Sequence, residues 1–559
     1  MINLTLRKYY EDISSTRIRE NIDLGRDISN LIDPVVQNYI YENNLYVRQP
    51  AYKHEIQARD IRISDFEHSN HSDINELRPD MEARGYDWDA LQEYLSGSRV
   101  RTVYIEGRVR SGKRICAFAS SKRIERHDLL SEFGDTEITK HIRAKANGAI
   151  SVIGALYFGK SRNISNLGQM MLTEILTDLL AKDYGYVVYH PVDKSGLNPA
   201  TLDVLKRQGF VNISSDHGDP VYAVDLNSPI VIFRDVETVI KAPLNKNPRI
   251  MKAVDEAHNR LLRTFCELYP GRLILSFNTS AVYSKIVEMV AAENKVSTVP
   301  DPLKRRGPYM AVPFGKALSD VVVPNTVTKA LRTEKYVSET VRSFDIRESI
   351  GYAGLDDQAM TLRSFNREVI LIDDLLHSGQ RMRRIDPLLR KHDVRVRKII
   401  VGLLTGNARD DMAIKNRDVE GAYFIPEISM WLNERDCYPF IGGDSLETGR
   451  DDETSINLIL PYTSFSFAGK NDADMVFKYS MTCLENARDI MKVIEEEYQE
   501  AFEMPLTLGK LGAVITHPRR PDYGAGLKYD ESVAPSVYIE SDIKRAERLH
   551  LLKNPERRD

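Results

Sequence analysis

The sequence predicts an α/β protein with more than one sheet and more than one domain. Strand-like and helix-like runs alternate along most of the chain, which is typical of sheets covered by helices. One apolar run, "EVILI", leads directly into two adjacent carboxylates at 373–374. The chain of 559 residues is longer than a single hydrophobic core usually supports, so several domains are expected.

Composition and charge exclude some classes of partner and indicate a compartment. Lys+Arg (77) and Asp+Glu (81) nearly cancel, so no strong nucleic-acid signal is present. No apolar run approaches the roughly 20 residues that span a bilayer, and the first residues lack the apolar core of a signal peptide. The four cysteines are widely spaced without a metal-binding pattern, which predicts reduced thiols in a cytoplasmic protein. The sequence is compatible with a homo-oligomer.

Shifts in composition and pattern divide the chain into four predicted segments. The first is polar and charge-rich with helix-like pieces, and the last contains one long helical pattern followed by a turn-rich stretch. Between them lie two α/β regions joined by the polar connection "KAPLNKNPRIM" at 241–251. The segments are a helical or irregular extension (1–95), an α/β domain (96–240), a second α/β domain (250–447) and a helical extension (448–559).

The first α/β domain is predicted to begin with three strands. Two are short, "RTVYIEG" (101–107) and "RICAFASS" (114–121), and the third is the long apolar run "AISVIGALYFG" (149–159). Its apolar residues are continuous rather than alternating, which indicates a central strand buried on both faces.

Two helices and three further strands complete this predicted domain. Met171, Ile175 and Leu179 recur at helical spacing after the long strand. The strand "YVVYHPV" follows, and a shorter helix comes next, with Asn198 as its N-cap and Gly209 at its end. The runs "VNISS" and "VYAVDL" are predicted as closing strands.

The second α/β domain is predicted to contain a largely parallel sheet. Its strands are "RLILSF" (272–277), "YMAVPF", "EVILI" and "VRKIIVGLLTG" (396–406), and helical patterns separate most of them. Strands that alternate with helices favour parallel pairing through crossover connections.

The acid pair Asp373 and Asp374 is predicted to lie where ligands collect in such a sheet, beyond the carboxyl end of a strand. A hydroxyl, a glycine and several backbone N–H groups follow just before a helix, and a helix N-terminus favours phosphate. Two carboxylates beside a phosphate cradle indicate a sugar-phosphate site. The alternative is a strand whose acids cap a helix beside an ordinary Ser-Gly turn.

This stretch resembles the phosphoribosyl-pyrophosphate signature of the type I phosphoribosyltransferases: an apolar strand, two acids, three variable residues, then a hydroxyl residue and glycine. The resemblance implies a parallel-sheet domain of that family. It implies ribose contacts from Asp373 and Asp374, and a phosphate loop that comprises His377, Ser378, Gly379, Gln380 and Arg381. Arg381 stands where the family has a hydroxyl residue, and an arginine can pair with phosphate instead.

Two further loops are assigned by their order in this family. A pyrophosphate loop is expected after the strand "RLILSF", at Asn278, Thr279 and Ser280. A mobile basic loop is expected in "PNTVTKALRTEKY", with the cations Lys329, Arg332 and Lys335. For both loops, an ordinary connecting segment without a role in binding is an equally good interpretation of the sequence.

The resemblance implies a Mg²⁺-dependent transferase. It would move a 5-phosphoribosyl group from phosphoribosyl pyrophosphate to a nitrogen acceptor that the sequence does not identify. Asp373 and Asp374 would position the ribose and hold Mg²⁺ indirectly, through ribose hydroxyls or water. The basic loops would stabilise the charge that grows on the departing pyrophosphate.

The first α/β domain resembles the core of the GNAT-type N-acetyltransferases, which implies a mixed sheet. The matching elements are the strand "ISVIGALYFG", the loop "KSRNISNLGQ" and the helix of "NPATLDVLKRQGF". In that family the loop binds the pyrophosphate of acetyl-CoA at a helix start, which implies a cofactor loop with Arg162, Asn166 and Gly168. Met170 replaces a small residue of the family's loop pattern.

Three functions therefore remain open from the sequence. The main prediction is phosphoribosyl transfer in a protein that is bifunctional if the acetyltransferase-like domain is also active. A non-catalytic sensor of phosphoribosyl pyrophosphate or a nucleotide, which regulates a partner, is the first alternative. An acetyl-CoA-dependent N-acetyltransferase is the second.

Overall fold

The computed structural model describes two compact units, each of which we treat by itself. It covers residues 62–553, with gaps at 67–70, 110–111, 135, 160–165, 215–218, 242, 301–305, 319–320, 339, 351, 448–453, 461, 463–471 and 523–527, and also residues 15, 18, 19 and 32. Of these residues, unit 1 contains 279–426, Glu447 and residues 15, 18, 19 and 32. Unit 2 contains residues 62–278, 427–446 and the described residues after 450.

The unit boundaries differ from the predicted domains. Residues 250–278 and 427–446, which we expected in the second α/β domain, belong to unit 2. The C-terminal segment, predicted as a separate helical extension, also belongs to unit 2 from residue 450 onward. Residues 279–426 therefore interrupt unit 2 in the sequence. Most of the predicted 1–95 extension lies outside the described residues.

The first stretch of unit 2 alternates strands and helices. In chain order the elements are β1 (Arg62–Phe66), α1 (Arg78–Ala83), α2 (Trp88–Leu95), β2 (Val100–Val109), β3 (Gly112–Ile124), α3 (Leu129–Phe133), α4 (Glu137–Lys145), β4 (Ala149–Phe158), α5 (Leu167–Ala181), β5 (Tyr184–Tyr189), α6 (Pro199–Arg207), β6 (Val211–Asn212), β7 (Tyr222–Arg234), α7 (Val236–Val239), α8 (Pro248–Leu268) and β8 (Arg272–Asn278).

Unit 1 follows with the elements α9 (Thr279–Glu293), β9 (Met310–Pro313), β10 (Val327–Thr328), β11 (Thr333–Val337), β12 (Phe344–Glu348), α10 (Leu355–Ser364), β13 (Val369–Leu376), α11 (Gln380–Lys391), β14 (Val396–Leu404), α12 (Gly406–Ile414) and β15 (Val419–Phe424). The chain then returns to unit 2 with β16 (Met430–Asn433), β17 (Asp444–Leu446), β18 (Thr454–Ile456), α13 (Ala473–Phe502), β19 (Arg520–Pro521) and α14 (Pro535–Lys553).

The predicted caps of α6 are confirmed. The Asn198 side chain accepts a hydrogen bond from the Thr201 N–H at 3.0 Å, and Pro199 occupies the first turn, where its missing N–H has no cost. Gly209 follows the helix with φ +91°, and a Cβ there would overlap the Arg272 carbonyl. A residue other than glycine would strain this turn.

The main sheet of unit 2 has the strand order β1-β2-β3-β4-β5-β7-β16, with β6 and β8 also paired to β7. Neighbouring strands from β1 to β4 are antiparallel, whereas β4 and β5 are parallel. The mixed sheet that the GNAT resemblance implied for the first domain is therefore present.

Strand β7 joins two parts of this sheet. Its first half pairs antiparallel with β5, from Tyr186↔Asp225 to Tyr189↔Tyr222. Its second half pairs parallel with β8 and with β16. Strand β8, which we expected in the parallel sheet of the second domain, thus lies in the other sheet.

Helices α8, α13 and α14 form an apolar core with the second half of β7 and its neighbours. Residues such as Ile250, Leu261, Phe265, Leu484 and Ile490 are fully buried there. Asn247 starts α8 by accepting the Arg249 N–H at 2.8 Å. The strong apolar face of α8 explains why residues 250–278 fold with unit 2.

The sheet of unit 1 is parallel throughout, in the order β10-β9-β13-β14-β15. Strand β13, which carries the acid pair, is buried along its whole length at the centre. Helices connect β13 to β14 and β14 to β15, as crossovers between parallel strands require. Strands β11 and β12 form an antiparallel hairpin outside this sheet.

The four cysteines, Cys116, Cys266, Cys437 and Cys483, are free. None of the helices in the described part of the chain is long and apolar enough to cross a membrane.

Candidate functional site

The pairing of the two parallel strands at the centre of the unit 2 sheet stops where β5 ends, before β4 ends. Pairing of β4 with β5 runs from Ala149↔Tyr184 to Ile153↔Tyr189 and stops there, while β4 continues to Phe158. The Val192 N–H still donates to the Gly154 carbonyl at 2.9 Å. Beyond that bond a pocket opens between the end of β4 and the segment that follows β5.

The pocket is bounded by β4, by residues 191–196 and by the first two helices of the unit. Apolar side chains form most of its wall, and a few polar groups converge on it. The lining includes Tyr86, Leu91, Ala155, Tyr157, Pro191 and Val192. The space in it that a water-sized molecule can occupy is about 10 Å³. A larger ligand therefore requires side chains at the rim to move.

A phenol of the pocket wall is bonded to a carboxylate that does not itself line the pocket. The Tyr157 hydroxyl donates a hydrogen bond to the Asp80 carboxylate, which also pairs with the Arg84 guanidinium at 2.9 Å. Arg84 lies over the Tyr157 ring, 5.2 Å from its centroid. Burial, reinforced by the hydrogen bond to Asp80, raises the pKa of Tyr157, so the phenol keeps its proton at neutral pH.

A second carboxylate fixes the opposite wall. The two oxygens of Asp193 accept the backbone N–H groups of Asp87 and Ser195, at 2.8 and 3.2 Å. The Ser195 hydroxyl donates to the Gly85 carbonyl at 2.6 Å. The segment after β5 is thereby tied to the loop between α1 and α2, which gives the pocket a fixed frame.

Helix α5 begins in the part of the chain that follows β4. A Cβ on Gly168 would approach the Phe158 ring to 2.9 Å, so glycine lets the helix pack closely on the end of β4. Asn166 has φ +57°. Its buried amide nitrogen and both amide atoms of buried Gln169 have no hydrogen-bond partner among the described residues. Predicted cofactor residue Arg162 lies outside the described residues.

The acid pair of unit 1 lies inside its sheet. Asp374 is 3% exposed, and its carboxylate accepts the backbone N–H groups of Ala317 and Leu318 at 2.9 and 2.6 Å. A Cβ on Gly315 would overlap this carboxylate. Asp374 therefore holds the loop after β9, and its oxygens are used inside the protein rather than directed at a ribose.

Asp373 is also engaged internally. It is 1% exposed and forms an ion pair with Arg381 on α11, and one of its oxygens accepts the Asp374 N–H at 2.9 Å. Burial raises the pKa of the Asp373 carboxyl to about 6, the Arg381 charge lowers it, and the Asp374 charge raises it. The strand continues to Leu376 beyond both acids, so they do not stand at its end as predicted.

The predicted phosphate loop is partly assembled. Gly379 has φ +66° and stands at the N-terminus of α11, Ser378 and Gln380 are exposed, and His377 is half-buried. Arg381, assigned to phosphate, instead pairs with Asp373. A helix N-terminus with exposed residues is present. However, Arg381 already pairs with Asp373, and Asp374 already accepts backbone N–H groups.

The two flanking loops differ from the prediction. Asn278 ends β8 in the unit 2 sheet, with its amide 3.4 Å from Glu237, and Thr279 and Ser280 begin α9. The predicted mobile basic segment forms two short strands. Lys329 lies just after β10, with its N–H bonded to the Ala311 carbonyl. The other two cations lie over aromatic rings: Arg332 over Tyr352 and Lys335 over Phe344.

No cluster of three or more His, Cys, Asp or Glu side chains suited to a metal ion occurs among the described residues. The expectation of Mg²⁺ at Asp373 and Asp374 has no support from this geometry, because their oxygens already bond Arg381 and backbone N–H groups.

A buried chain of hydrogen bonds in unit 2 was not anticipated. His258 on α8 lies with Nδ1 2.7 Å from Glu434 Oε2 and with Nε2 2.9 Å from Ser276 Oγ. The Tyr438 hydroxyl donates to the other Glu434 oxygen at 2.8 Å. All these side chains are buried, which favours a role in joining α8 to strands β8 and β16.

Tyr157 of the pocket and the two side chains that bond to this part of β4 were also missed by sequence reasoning. Asp80, Tyr94 and Tyr157 are far apart in the sequence, and no motif links them. The one available signal was a tyrosine within an otherwise aliphatic central strand, because a buried phenol usually finds a hydrogen-bond partner.

Comparisons with known proteins found similarity at the level of structure. No family model matches the chain, and no curated protein sequence matches it. The structure is similar to that of Arabidopsis thaliana NAA60 in complex with acetyl-CoA, at 16% identity and a TM-score of 0.23, covering 30% of this chain and 99% of that one.

Two other acetyltransferase structures are similar over a comparable share. Escherichia coli ribosomal-protein-S18-alanine N-acetyltransferase is 13% identical with a TM-score of 0.20, covering 30% of this chain and 93% of that one. Tetrahymena GCN5 is 6% identical with a TM-score of 0.21, covering 29% and 95%.

Proposed function

We propose that unit 2 is an acyltransferase domain that binds acetyl-CoA where β4 and β5 separate and transfers the acetyl group to a primary amine. The observation that carries the proposal is the parallel pair that ends at Ile153↔Tyr189 while β4 runs on, with a polar-edged pocket at the gap. An unpaired stretch of strand offers backbone groups to an extended ligand.

The residues at the gap fit such a ligand. Helix α5 starts after β4, and its unpaired N–H groups and positive dipole end favour a pyrophosphate. The Asn166 amide nitrogen and both amide atoms of Gln169, which lack a partner within the described part of the chain, lie at the same helix start and can bond a polar group. Met170, which departs from the family's pattern, is buried and does not occupy the exposed side of this turn.

Acetyl-CoA supplies a thioester, and transfer breaks the C–S bond, forms a C–N bond and moves one proton from the amine to the thiolate. Tyr157 lines the pocket, and its hydroxyl can hydrogen-bond to the leaving sulfur and donate a proton to it. Asp80, which accepts the hydrogen bond of the phenol and pairs with Arg84, orients the phenol and can take the proton that the amine loses. The apolar lining excludes water, which limits hydrolysis.

The test uses two exposed valines of the full-length chain. Val192 lines the pocket and is 40% exposed, whereas Val211 is 38% exposed on β6 and is not among the lining residues. We expect acetyl-CoA to bind the wild type in titration calorimetry and release free thiol with an amine panel. Val192→Trp should fill the pocket and weaken binding at least about tenfold, which is a loss of 1.4 kcal/mol.

Val211→Trp is the matched control and should bind acetyl-CoA like the wild type. The proposal fails if the wild type does not bind acetyl-CoA, or if both tryptophan variants bind it equally well. Binding without thiol release for any amine would reduce the proposal to an acyl-CoA-binding domain.

Phosphoribosyl transfer is not proposed for unit 1. Its support in the sequence was an acid pair free to hold ribose, and both carboxylates are committed to Arg381 and to backbone N–H groups. Replacing these bonds by ligand contacts would leave buried donors unpaired, at a cost of about 1–3 kcal/mol each.

A further inference from the structure

The long central strand of unit 2 contains one extra residue at the pocket. Ser120 of β3 pairs with Ala155, but its neighbour Ser121 pairs with Ile153, so Gly154 has no partner on β3. This arrangement is a β-bulge, in which two residues of one strand face one residue of the other. The bulge lies one residue beyond the last pair between β4 and β5.

The bulge changes which side chains face the pocket. Side chains alternate between the two faces of a strand, and an inserted residue reverses the alternation beyond it. Val152 shares a face with Lys122, its partner on β3, and Ala155 and Tyr157 share that same face with Ser120 and Phe118. If the same sequence paired regularly, without a bulge, Leu156 would stand opposite Phe118 in place of Tyr157.

Tyr94, on helix α2, forms a hydrogen bond with the extra residue of the bulge. The Gly154 N–H, which a regular ladder would use, donates to the Tyr94 hydroxyl oxygen at 3.2 Å. That hydroxyl lies 3.3 Å from the Val152 carbonyl and 3.4 Å from the Ser120 carbonyl, and donates to one of them. A Cβ on Gly154 would overlap the Tyr94 ring, so only glycine allows this close approach.

We infer that Tyr94 is a positioning residue for the acyl-transfer site: its hydroxyl holds the β4 bulge that turns Tyr157 into the pocket and separates β4 from β5. The inference rests on the proposed function. Tyr94 is not itself a lining residue of the pocket, so it acts through Gly154 and the strand beyond. Removing one hydroxyl would leave the Gly154 N–H unpaired and the bulge free to shift.

The first experiment is independent of any ligand. In Tyr94→Phe the ring and its packing remain, and only the hydroxyl is lost. We expect hydrogen exchange at the Gly154 amide of the full-length protein to accelerate at least about tenfold, because its bond partner is gone. Tyr186→Phe, at a buried tyrosine of β5 opposite Ile150, is the control and should leave that amide protected.

The second experiment measures the site. Well below the unfolding temperature, Tyr94→Phe should weaken acetyl-CoA binding about fivefold and lower kcat, while Tyr186→Phe changes neither. A merely structural role would lower the unfolding temperature without altering the dissociation constant or kcat. Faster exchange at Gly154 with unchanged binding and kcat would overturn the inference, as would unchanged exchange.

A double-mutant cycle tests the contact directly. Gly154→Ala should weaken acetyl-CoA binding in the wild-type background, because the new Cβ displaces the Tyr94 ring. In the Tyr94→Leu background the same substitution should add little, which gives a coupling between the two positions. Additive losses would overturn the inference. A wild type that does not bind acetyl-CoA would instead overturn the proposed function, while the exchange result would still decide whether Tyr94 holds the bulge.

Discussion

The acid pair of unit 1 and the pocket of unit 2 differ in how their polar groups are used. In unit 1 a recognisable motif is present, yet Asp373 and Asp374 are buried and bonded to Arg381 and to backbone N–H groups. In unit 2 no sharp motif exists, yet two parallel strands separate and leave a lined gap. A sequence motif gives the types of residue at its positions. Whether the polar atoms of those residues can bind a ligand depends on the hydrogen bonds and ion pairs that they already form within the protein.

The largest expected effect is on the stability of unit 1. Asp374→Ala removes the acceptor of two backbone N–H groups and leaves both unpaired in a buried site. We expect the free energy of unfolding to fall by about 3 kcal/mol, measured by urea denaturation. Asp410→Ala, at a mostly exposed aspartate of the same unit, should change it by less than about 0.5 kcal/mol.

A stable Asp374→Ala protein would contradict this structural role. If that variant kept its stability but lost an affinity for phosphoribosyl pyrophosphate seen in the wild type, the acid pair would be a ligand-binding site and not an internal support of unit 1.

The next effect is on chemistry in unit 2. Tyr157→Phe removes the proton held at the pocket but keeps the ring that packs on Phe118, 5.7 Å between centroids. We expect kcat for acetyl transfer to fall about a hundredfold, with the acetyl-CoA dissociation constant little changed. Steady-state kinetics and calorimetry on the same protein measure the two quantities. An unchanged kcat would remove Tyr157 from the catalytic step.

A smaller effect concerns the pH dependence of stability. The Asp373 carboxyl has a pKa of about 6 in the folded protein, above its ordinary value of 3.8, because burial disfavours the charge. The folded state therefore binds more protons than the unfolded state between these values, and this contribution to stability is lost as pH rises from about 4 to about 6.

Asp373→Asn cannot ionise and escapes that loss. The free energy of unfolding of the variant relative to the wild type should rise with pH by at most about 1.4 kcal/mol per unit up to pH 6, then stay level. Urea denaturation at several pH values measures it. A relative stability that falls over this range would mean that the Arg381 charge outweighs burial.

The smallest effect concerns the buried chain Ser276–His258–Glu434. If it joins elements of unit 2, Ser276→Ala should cost about 1 kcal/mol of stability and leave acetyl transfer unaltered. Because Ser276 is buried, a fluorophosphonate should not label it in the native protein. Labelling of Ser276 would show instead that the three groups activate a nucleophile.

Much of the local structure was predictable from the sequence. The Asn198 cap, the glycine turn at 209 and the apolar run of β4 depend on neighbouring residues, and all were predicted. The partner of β8 was not, because its short apolar run fits either sheet. Only the apolar face of α8, which packs with residues after 470, decides that choice.

Features of the sequence next to the acid pair indicated that the two acids are bonded inside the protein, although the stretch matches the motif. Leu375 and Leu376 follow the acids, and their burial continues the strand past the point where a ligand-facing edge was expected. Arg381, in the place of a hydroxyl residue, supplied the counter-charge. The pocket of unit 2 had no comparable local signal, since Asp80 reaches Tyr157, and Tyr94 reaches Gly154, only in the folded chain.

The most direct measurement is a hydrogen-exchange comparison of the full-length protein with and without saturating acetyl-CoA. We expect acetyl-CoA to slow exchange in the peptides that contain the end of β4 and residues 191–196, with no change across residues 373–381. Slower exchange confined to 373–381, or no change anywhere, would contradict an acetyl-CoA site in unit 2.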